Sequence, residues 1–506
     1  MGRRAVIVGG GHNGLTCAAY LARAGVSVTV LERRPVLGGA CVSEELWPGY
    51  RVSRGAYVLS LLRPVIAEEL ELAQHGLRLL PRVPSSITPL PDGRALVLGN
   101  EPREDFAAIE RFSRRDAEAY RRYEAWLESI ADTLEPLLDA PEAIRPRRLS
   151  RAALRLLRGP GLRSSARLLL GSARAVLDAW FKSEPLKSTL ATDGIIGAFA
   201  SPSAPSTGYV LFHHVMGQAG GRRGVWAYVA GGMGALSESL ASAARAAGAE
   251  IRTGAEVKGV TTRGGRACGV ALTTGETLEA DFVVSGADPA RTAGWLESPT
   301  ARRRFPSSDY RSPVVKLNLA LREAPRFRSH EGDLPLTGTI HLGPTDLEGI
   351  DRAFREAAAG RVPETPIVEL TIPSLVDPTL APPGRHVASI FAQYAPALAI
   401  DDPRWPEVRA AFAERVLCAV ESLAPGFRAS IEQLEVLAAP DLERLFGLTG
   451  GNIFHGAMNP VGLLRRRPRT PVRGLFLCGA STFPGGGVMG APGRNAAFEI
   501  LSDTPD

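Results

Sequence analysis

A short glycine-rich loop near the start of the chain constrains the fold more than any other feature. Ala5–Val8 is a continuous apolar run, which is typical of a strand covered on both faces of a parallel sheet. Gly9–Gly14 follows at once in the spacing G-x-G-x-x-G. The buried stripe of a helix comes next, formed by Leu15, Ala18, Ala19 and Ala22. A second apolar run then ends in Glu32, and this order of elements predicts a dinucleotide site in an α/β fold built on a parallel sheet.

The parts of this loop have separate physical tasks. Gly9 permits the tight turn, Gly11 lets the backbone approach a pyrophosphate, and Gly14 brings helix and strand close together. The free amides and the dipole at the helix start favour a phosphate charge. His12 and Asn13 lie within the loop and are expected to contact the same ligand. These tasks define a Rossmann-type domain that holds a dinucleotide.

The residues after the second strand indicate which dinucleotide is bound. Glu32 can accept hydrogen bonds from a pair of ribose hydroxyls, and it leads through Arg33-Arg34 into Gly38-Gly39, an E-x5-G-G arrangement. That arrangement resembles the FAD-binding amine oxidase and phytoene desaturase superfamily more than the NAD dehydrogenases. As an alternative, the two arginines could mark the 2′-phosphate of NADP, but Glu32 argues against it. We therefore expect FAD, with contacts from Glu32, Arg33, Gly38, Gly39 and Ala40.

The end of the chain repeats the pattern of strand, glycine loop and helix. Residues 474–479 resemble a buried strand, residues 485–491 are glycine-rich, and residues 493–498 suit a helix. In the superfamily that the chain resembles, this segment lines the ribityl chain and the ring of the flavin. The resemblance therefore implies FAD contacts from Gly479, Gly487, Val488, Met489 and Asn495. Many flavoproteins carry a Gly-Asp pair after this strand, whereas Gly479-Ala480 stands here, so the ribityl contact must come from the backbone or from water.

Matching segments along nearly the whole chain carry a family resemblance. They are residues 8–32, 194–197, 208–217, 231–236, 380–384, 450–455 and 484–497. On these segments the chain resembles the phytoene desaturase-like FAD-dependent oxidoreductases, and among them the group of pyridine nucleotide-disulfide oxidoreductase domain-containing protein 2 and its bacterial relatives. The resemblance implies that Val257 pairs its backbone with adenine. The chain departs from its relatives after Met458, where they carry an aspartate, a glutamine and aromatic residues and it has Asn459 to Leu464, so a substrate preference is not carried over.

The resemblance also implies an interleaved architecture, which suits a chain of 506 residues. The FAD-binding domain would gather residues 1–75, 225–300 and 450–506. An α+β substrate domain would be built from residues 76–224 and 301–449. Gly231–Gly234 taken alone resembles a second nucleotide loop. We expect no separate NAD site there, because no suitable strand ends immediately before the loop with an acid downstream.

Composition excludes several other classes of protein. Apolar residues at 45% and charged residues at 22% predict a soluble globular chain, and 59 basic against 53 acidic residues do not indicate a nucleic-acid partner. The five cysteines form no C-x-x-C, which argues against a redox dithiol or a metal cluster and suits reduced thiols in a cytoplasmic protein. An apolar strand already begins at Ala5 and no apolar run reaches about 18 residues, so we expect neither a secretory signal nor a membrane-spanning helix.

Three histidines are the candidates for chemistry beside the flavin. His455 lies in a segment expected to approach the ring from the substrate side, so it is the first candidate for catalysis or substrate contact, with a structural histidine as the alternative. His213 and His214 are adjacent, so at most one of them is expected to face the pocket. No spaced set of carboxylates accompanies them, and we expect no metal. His12 is expected to contact FAD and not to be catalytic.

A basic, leucine-rich stretch stands apart from these motifs. Residues 145–174 contain nine arginines and no acid, interleaved with leucines. Such a helical region can lie on an anionic membrane surface, which would suit an apolar substrate drawn from lipid. We favour a solvated helical face with its leucines in the core, and keep peripheral membrane contact as the alternative.

These features predict an FAD-dependent oxidoreductase that abstracts a hydride from an apolar or amine-bearing small molecule, in the manner of a desaturase, dehydrogenase or oxidase. Oxygen or a quinone-like compound would accept the electrons. The narrower alternative is a carotenoid desaturase or ketolase. A rival of another class is a non-catalytic escort protein on the fold of the GDP dissociation inhibitors, which do not need flavin. A third alternative is an FAD protein that has lost activity through divergence near Asn459.

Overall fold

The computed structural model describes residues 2–139, 150–152, 154–156, 161–219, 222–330, 332–459 and 467–503. Its strands are β1 (Arg4–Val8), β2 (Ser27–Glu32), β3 (Ser43–Trp47), β4 (Tyr50–Ser53), β5 (Leu79–Pro81), β6 (Ser86–Pro89), β7 (Ala95–Leu98), β8 (Gln218–Ala219), β9 (Arg222–Arg223), β10 (Ala227–Val229), β11 (Glu250–Thr253), β12 (Val257–Arg263), β13 (Arg266–Leu272), β14 (Thr277–Glu279), β15 (Phe282–Ser285), β16 (Val315–Leu321), β17 (Thr339–Leu342), β18 (Ile367–Thr371), β19 (His386–Gln393), β20 (Ile431–Leu437) and β21 (Leu475–Leu477). Its α-helices are α1 (His12–Arg23), α2 (Pro64–Glu69), α3 (Pro102–Glu110), α4 (Arg114–Leu138), α5 (Leu162–Leu170), α6 (Ala173–Trp180), α7 (Glu184–Ala191), α8 (Thr207–Val215), α9 (Gly234–Ala246), α10 (Pro289–Gly294), α11 (Pro299–Arg303), α12 (Leu347–Ala358), α13 (Trp405–Leu423), α14 (Phe427–Ser430), α15 (Ala439–Phe446) and α16 (Ala491–Leu501).

The first sheet joins the start, the middle and the end of the chain. It has five parallel strands in the order β11-β2-β1-β15-β21. All four residues of β15 and all three of β21 are buried, as expected for strands covered on both faces. The predicted α/β class with a Rossmann-type parallel sheet is therefore confirmed. These strands come from residues 1–75, 225–300 and 450–506, while the domain limits themselves stay predictions.

Small residues let the two ends of the chain pack closely. Where α16 crosses α1, a Cβ on Gly493 would lie 2.1 Å from the carbonyl oxygen of Asn13. The buried stripe predicted for α1 is confirmed, because Leu15, Ala18, Ala19 and Ala22 are all buried in the core of this domain. The last helix is thus held directly against the helix that follows the glycine loop.

The second sheet is mixed and has seven strands in the order β20-β16-β19-β18-β17-β6-β7. Neighbouring strands are antiparallel except β17 and β6, which are parallel. Phe412, Val416 and Val420 of α13 share one apolar core with Leu317 and Leu319 of β16. All seven residues of β16 are buried. A polar side chain on this strand therefore needs a polar partner or a cavity.

Helices α3 to α8 form a third region, whose aromatic core includes Tyr123 and Phe181 at 5.1 Å between ring centroids. Asp116 at the start of α4 is fully buried and accepts hydrogen bonds from the backbone amides of Lys182 at 2.9 Å and Ser183 at 2.6 Å. Its carboxylate therefore ties α4 to the chain that enters α7.

The basic stretch of residues 145–174 is partly described. Leu156 and Leu168 are buried, whereas Leu154 and Leu170 are 46% and 54% exposed. Arg174 forms an ion pair with Asp351. Residues 145–149, 153 and 157–160 lie outside the described residues, and membrane contact stays a prediction. Among the described helices, none is long and apolar enough to span a bilayer.

The surroundings of the loop Gly231–Gly234 agree with the expectation that no suitable strand ends immediately before it. The nearest strand, β10, ends at Val229, pairs antiparallel with β5 and lies outside the parallel sheet. The amide of Met233 donates to Ser53 Oγ at 3.0 Å and that of Gly234 to Ser43 Oγ at 2.9 Å. Side chains of the protein thus occupy the amides that a phosphate would need.

Candidate active site

One cavity follows the carboxyl ends of the parallel strands. It is lined by Gly9 after β1, Glu32 at the end of β2, Gly286 after β15 and Ala480 after β21. Ligands of open α/β sheets bind in this position, where the strands end. The cavity continues to Lys316 on β16, so it connects the first sheet with the second.

The glycine loop leaves a space that the protein itself does not fill. A Cβ built on Gly11 would meet no atom closer than the carbonyl oxygen of Gly38 at 3.9 Å. A Cβ on Gly14 would instead lie 2.2 Å from the carbonyl oxygen of Gly9, so the contact of strand and helix requires this glycine. His12 Nε2 and Asn13 Oδ1 are buried without a hydrogen-bond partner among the described residues. An open cradle with unpaired polar atoms at a helix start fits the diphosphate of a dinucleotide.

Glu32 is held in a fixed orientation beside this loop. Its Oε2 accepts a hydrogen bond from the amide of Gly10 at 2.8 Å, and its Oε1 accepts one from the amide of Arg34 at 2.9 Å. An ionised carboxylate has about four acceptor positions. Positions therefore remain for the hydroxyls of a ribose.

The arginine pair after Glu32 is divided between two environments. Arg33 lines the cavity and donates to the carbonyl oxygens of Arg444 at 2.7 Å and Leu445 at 2.9 Å. Arg34 forms an ion pair with Glu44 at 2.8 Å. The two guanidinium groups therefore do not converge on a site for a 2′-phosphate.

Most of the predicted cofactor contacts line this one cavity. They are Gly9, Gly11, His12, Asn13, Gly14, Glu32, Arg33, Gly38, Gly39, Ala40, Val257, Gly487 and Val488. The three other predicted contacts, Gly479, Met489 and Asn495, do not line the cavity and lie behind its wall. Gly479 packs against Gly286, and the carbonyl of Met489 accepts a hydrogen bond from the amide of Arg63 at 3.1 Å. Asn495 Nδ2 donates a hydrogen bond to the carbonyl of Phe483 at 3.3 Å. Ala480 lines the cavity in place of Gly479. The role of each residue toward FAD stays a prediction.

His455 lines the cavity, but its charged neighbours lie near the glycine loop. Burial lowers the pKa of His455. The charge of Asp288 raises this pKa and the charge of Arg291 lowers it. The charge of His455 in turn lowers the pKa of His12. Its Nδ1 is buried without a partner among the described residues. His455 thus lies on the cavity wall next to Phe454, and both its predicted catalytic role and a contact with the cofactor stay predictions.

The adjacent histidines of α8 face different surroundings. His213 is fully buried outside the cavity wall, its Nε2 donates to the carbonyl of Gly486 at 2.9 Å, and burial lowers its pKa to about 3. His214 lines the cavity and stacks on Trp226, with 5.9 Å between ring centroids. Burial lowers the pKa of His214 to about 4, so its ring is neutral at pH 7. Among the described residues no cluster of histidine, cysteine and carboxylate groups could hold a metal ion.

Lys316 is a residue of this cavity that the motifs did not predict. It is 2% exposed, and burial lowers its pKa to about 7 against the opposing attraction of Glu435. Its ammonium lies 5.3 Å from the centre of the Tyr57 ring. The available signal was its rarity, because the chain has four lysines and this one interrupts the apolar run from Val314 to Leu321.

A polar network holds Lys316 from behind the cavity. Its Nζ donates to Asn318 Oδ1 at 2.7 Å and to Ser389 Oγ. Asn318 Nδ2 in turn donates to Glu435 Oε2 at 2.9 Å, and Glu435 is paired with Arg54. The network draws on three strands and a loop, so the tertiary fold assembles it.

Aromatic side chains form the walls around this lysine. Tyr57 packs on Phe391 with 5.9 Å between ring centroids, and Tyr57 Oη donates to Glu369 Oε2 at 2.8 Å. Burial raises the pKa of Glu369 to about 7. Trp226 and Phe454 line the same cavity. The end of the cavity at Lys316 is therefore largely apolar, with one amine and few other polar groups.

Comparison with known proteins assigns the family. The family model of flavin containing amine oxidoreductases matches residues 14–501. The chain belongs to this family, which makes it a flavoprotein oxidoreductase with FAD as cofactor.

Individual relatives agree with this assignment. Pyridine nucleotide-disulfide oxidoreductase domain-containing protein 2 of Rattus norvegicus is 44% identical and covers 99% of this chain and 93% of its own length. Phytoene desaturase (lycopene-forming) of a Paracoccus species is 26% identical over 99% of this chain and 98% of its own. The solved oxidoreductase of Methanosarcina mazei shares the fold with a TM-score of 0.63 at 18% identity, covering 99% of this chain and all of its own. The predicted family resemblance is confirmed.

Proposed function

We propose that the protein dehydrogenates an apolar or amine-bearing small molecule, with Lys316 as the base beside the flavin. The observation that carries this proposal is a buried lysine with a pKa lowered to about 7 in an apolar part of the cavity. A base whose pKa lies near the working pH is the most effective proton acceptor.

The reaction divides between the cofactor and the protein. FAD, when bound, supplies the acceptor for a hydride from the substrate carbon. The new double bond forms as the neighbouring nitrogen or carbon gives up a proton, and the neutral amine of Lys316 accepts that proton. Asn318 and Ser389 hold the amine in place through their oxygen atoms.

The walls of the cavity favour an apolar substrate. Trp226, Phe391, Phe454 and Ile196 line it together with Tyr57, whose hydroxyl is already bound to Glu369. Burial of apolar substrate surface against these side chains contributes roughly 25 cal/mol per Å². The same side chains exclude water, which disfavours the charged form of Lys316 and lowers its pKa.

The experiment is anaerobic reduction of the holoenzyme by candidate substrates. A panel of N-alkyl amines, small cyclic alkenes and a lipid extract containing polyenes would be mixed with the enzyme while the visible flavin absorbance is followed. We expect bleaching by an amine or a small alkene, and reoxidation by oxygen or a quinone. No bleaching by any member of the panel, in an enzyme that dithionite still reduces, would contradict the proposal.

The same panel separates the alternatives. Bleaching by the polyene extract alone, with a change in polyene absorbance, would favour a carotenoid desaturase or ketolase. An FAD-free protein that cannot be loaded with flavin would favour the escort function.

A further inference from the structure

The guanidinium of Arg291 lies at the cavity without a hydrogen-bond or ion-pair partner among the described residues. Arg291 stands in α10, which follows β15 after a short loop, and its Nε is buried without a hydrogen bond. In the part of the chain that the structure describes, its guanidinium has neither a hydrogen bond nor an ion pair. The charge of Arg291 acts on Arg33 and on His455, and that of Asp288 also acts on His455, but no carboxylate among the described residues is paired with the guanidinium. A guanidinium that lines a cavity without a paired anion suits a ligand that supplies the negative charge.

The neighbours of Arg291 locate that charge. Arg33 follows Glu32, the acid at the end of β2. The pKa of Arg33 is lowered first by burial and second by the positive charge of Arg291. Arg291 also lowers the pKa of His455, which lies close enough to His12 to act on it. Geometry gives the same location. Gly447, which lies against the guanidinium of Arg291, closely follows Arg444 and Leu445, whose carbonyl oxygens bind Arg33. Gly286, which precedes α10, packs on Gly9, so Arg291 is near both the end of β2 and the glycine loop, the two regions that a dinucleotide bridges.

The glycine loop lacks a cation of its own. Gly9–Gly14 offers amides and one histidine, and burial lowers the pKa of His12 to about 4, so the loop is uncharged at pH 7. The nearby cation Arg33 already donates hydrogen bonds from its Nη2 to the carbonyl oxygens of Arg444 and Leu445. The diphosphate of FAD carries two negative charges, and amides with a helix dipole balance only part of them.

The guanidinium of Arg291 lies against the residue that ends α15. A Cβ on Gly447 would lie 3.6 Å from Cζ of Arg291, an ordinary van der Waals distance. Glycine is favoured there by its φ of 73°, the left-handed conformation in which α15 ends.

We propose that Arg291 is the cation that binds the diphosphate of FAD. The ligand chemistry is a nucleoside diphosphate, to which a guanidinium can donate two parallel hydrogen bonds. The proposal concerns cofactor binding alone and does not depend on the substrate or on Lys316.

The test compares ligands with and without the diphosphate. Uptake of FAD by the full-length chain would be measured by flavin fluorescence, with ADP or adenosine as competitor, in wild type, Arg291→Gln and Arg291→Lys. In Arg291→Gln we expect the FAD dissociation constant to rise roughly 10- to 150-fold, the loss of one charge-assisted contact. Competition by ADP should weaken by a similar factor and competition by adenosine should not change. Arg302→Gln removes the same charge from outside the cavity and should bind all three ligands as wild type does.

Two outcomes would overturn the proposal. One is unchanged FAD and ADP binding in both Arg291 variants. The other is equal loss of ADP and adenosine binding, which would place Arg291 at the adenosine or in the fold. Arg291→Lys keeps the charge and guards against misfolding of the glutamine variant. With an unchanged melting temperature, it should lose FAD at a lower salt concentration than wild type, because a single ammonium replaces the two-pronged contact.

Discussion

Lys316 Nζ donates a hydrogen bond to Asn318 Oδ1 at 2.7 Å, two residues along the same buried strand. Residues i and i+2 of a strand face the same side of the sheet, so the pair lies on one face. That pairing holds the amine at the cavity while Asn318 reaches Glu435 behind it. The position of the amine at the cavity therefore depends on Asn318, a side chain that does not line the cavity.

Replacing Lys316 by methionine should lower the rate of flavin reduction by substrate about 10²- to 10⁴-fold, the usual contribution of general base catalysis. In wild type the rate should rise with pH through about 7, since the neutral amine is the active form. Stopped-flow reduction across pH would show this limb in wild type and not in the variant. An identical pH profile in both proteins would exclude Lys316 as the base.

Arg54 is expected to set the pH at which Lys316 acts. Its guanidinium pairs with Glu435, and in Arg54→Gln the carboxylate would be left to attract the ammonium of Lys316. Besides Glu435, the groups that face the amine are Asn318, Ser389 and the Tyr57 ring, which carry no charge. The pH profile of flavin reduction should move upward by about one unit. The double variant Arg54→Gln/Glu435→Gln should move it back, which a purely structural defect would not do.

Gly11 and Gly14 should respond differently to alanine. At Gly14 the new Cβ would lie 2.2 Å from the carbonyl oxygen of Gly9, so the variant should be destabilised by roughly 1–3 kcal/mol. At Gly11 the nearest atom is 3.9 Å away, so the variant should fold normally. Its new Cβ would keep the diphosphate away from the backbone, so FAD should bind roughly a hundredfold less tightly, which corresponds to the loss of a charge-assisted hydrogen bond. Urea unfolding and FAD titration of both variants check the contrast. Tight FAD binding by Gly11→Ala would show that the diphosphate does not approach this residue.

Two buried lysines should have opposite effects on stability. Burial depresses the pKa of Lys316, so the unfolded chain binds more protons between pH 7 and pH 10 and this group's contribution to stability rises with pH across that window. Lys316→Met removes this titration and also leaves Asn318 Oδ1 and Ser389 Oγ without their donor. The melting temperature of the variant relative to wild type should therefore be higher at pH 7 than at pH 10. Burial also lowers the pKa of Lys187, but its hydrogen bonds to Asp178 and Glu184 raise that pKa by more. The ion pairs of Lys187 therefore stabilise the fold, and Lys187→Met should lower the melting temperature. Calorimetry of wild type and both variants at pH 7 and pH 10 would measure these changes in melting temperature.

Asp116 should matter for stability although it lines no part of the cavity. Asp116→Ala would remove a buried carboxylate that accepts from the amides of Lys182 and Ser183, at a cost of about 3 kcal/mol. Asp116→Asn keeps an acceptor and should cost less. Asp92→Ala, at an exposed ion pair with Arg94, should change the free energy of unfolding by less than about 1 kcal/mol. A loss at position 116 no larger than that at position 92 would contradict this assignment.

Local sequence patterns were sufficient to predict the glycine loop and the elements around it. The strand, the glycine loop and α1 were predicted from residues 5–22, because a buried parallel strand and a tight phosphate turn each demand particular residues at fixed spacing. The closing helix was predicted as well and is α16. Such signals are local, so they can be found in the sequence without knowledge of the fold.

The substrate half was decided only by the tertiary structure. Lys316 and Asn318 stand far from Glu435 and Arg54 in the chain, and no spacing relates them until β20, β16 and β19 pair in the second sheet. His455 was predicted from its segment alone, and its neighbours in space turned out to be Asp288 and Arg291. The sequence by itself thus determined a glycine loop that suits a diphosphate. Burial, which depends on long-range packing, decided that the pKa of Lys316 is lowered and that the guanidinium of Arg291 has no partner among the described residues.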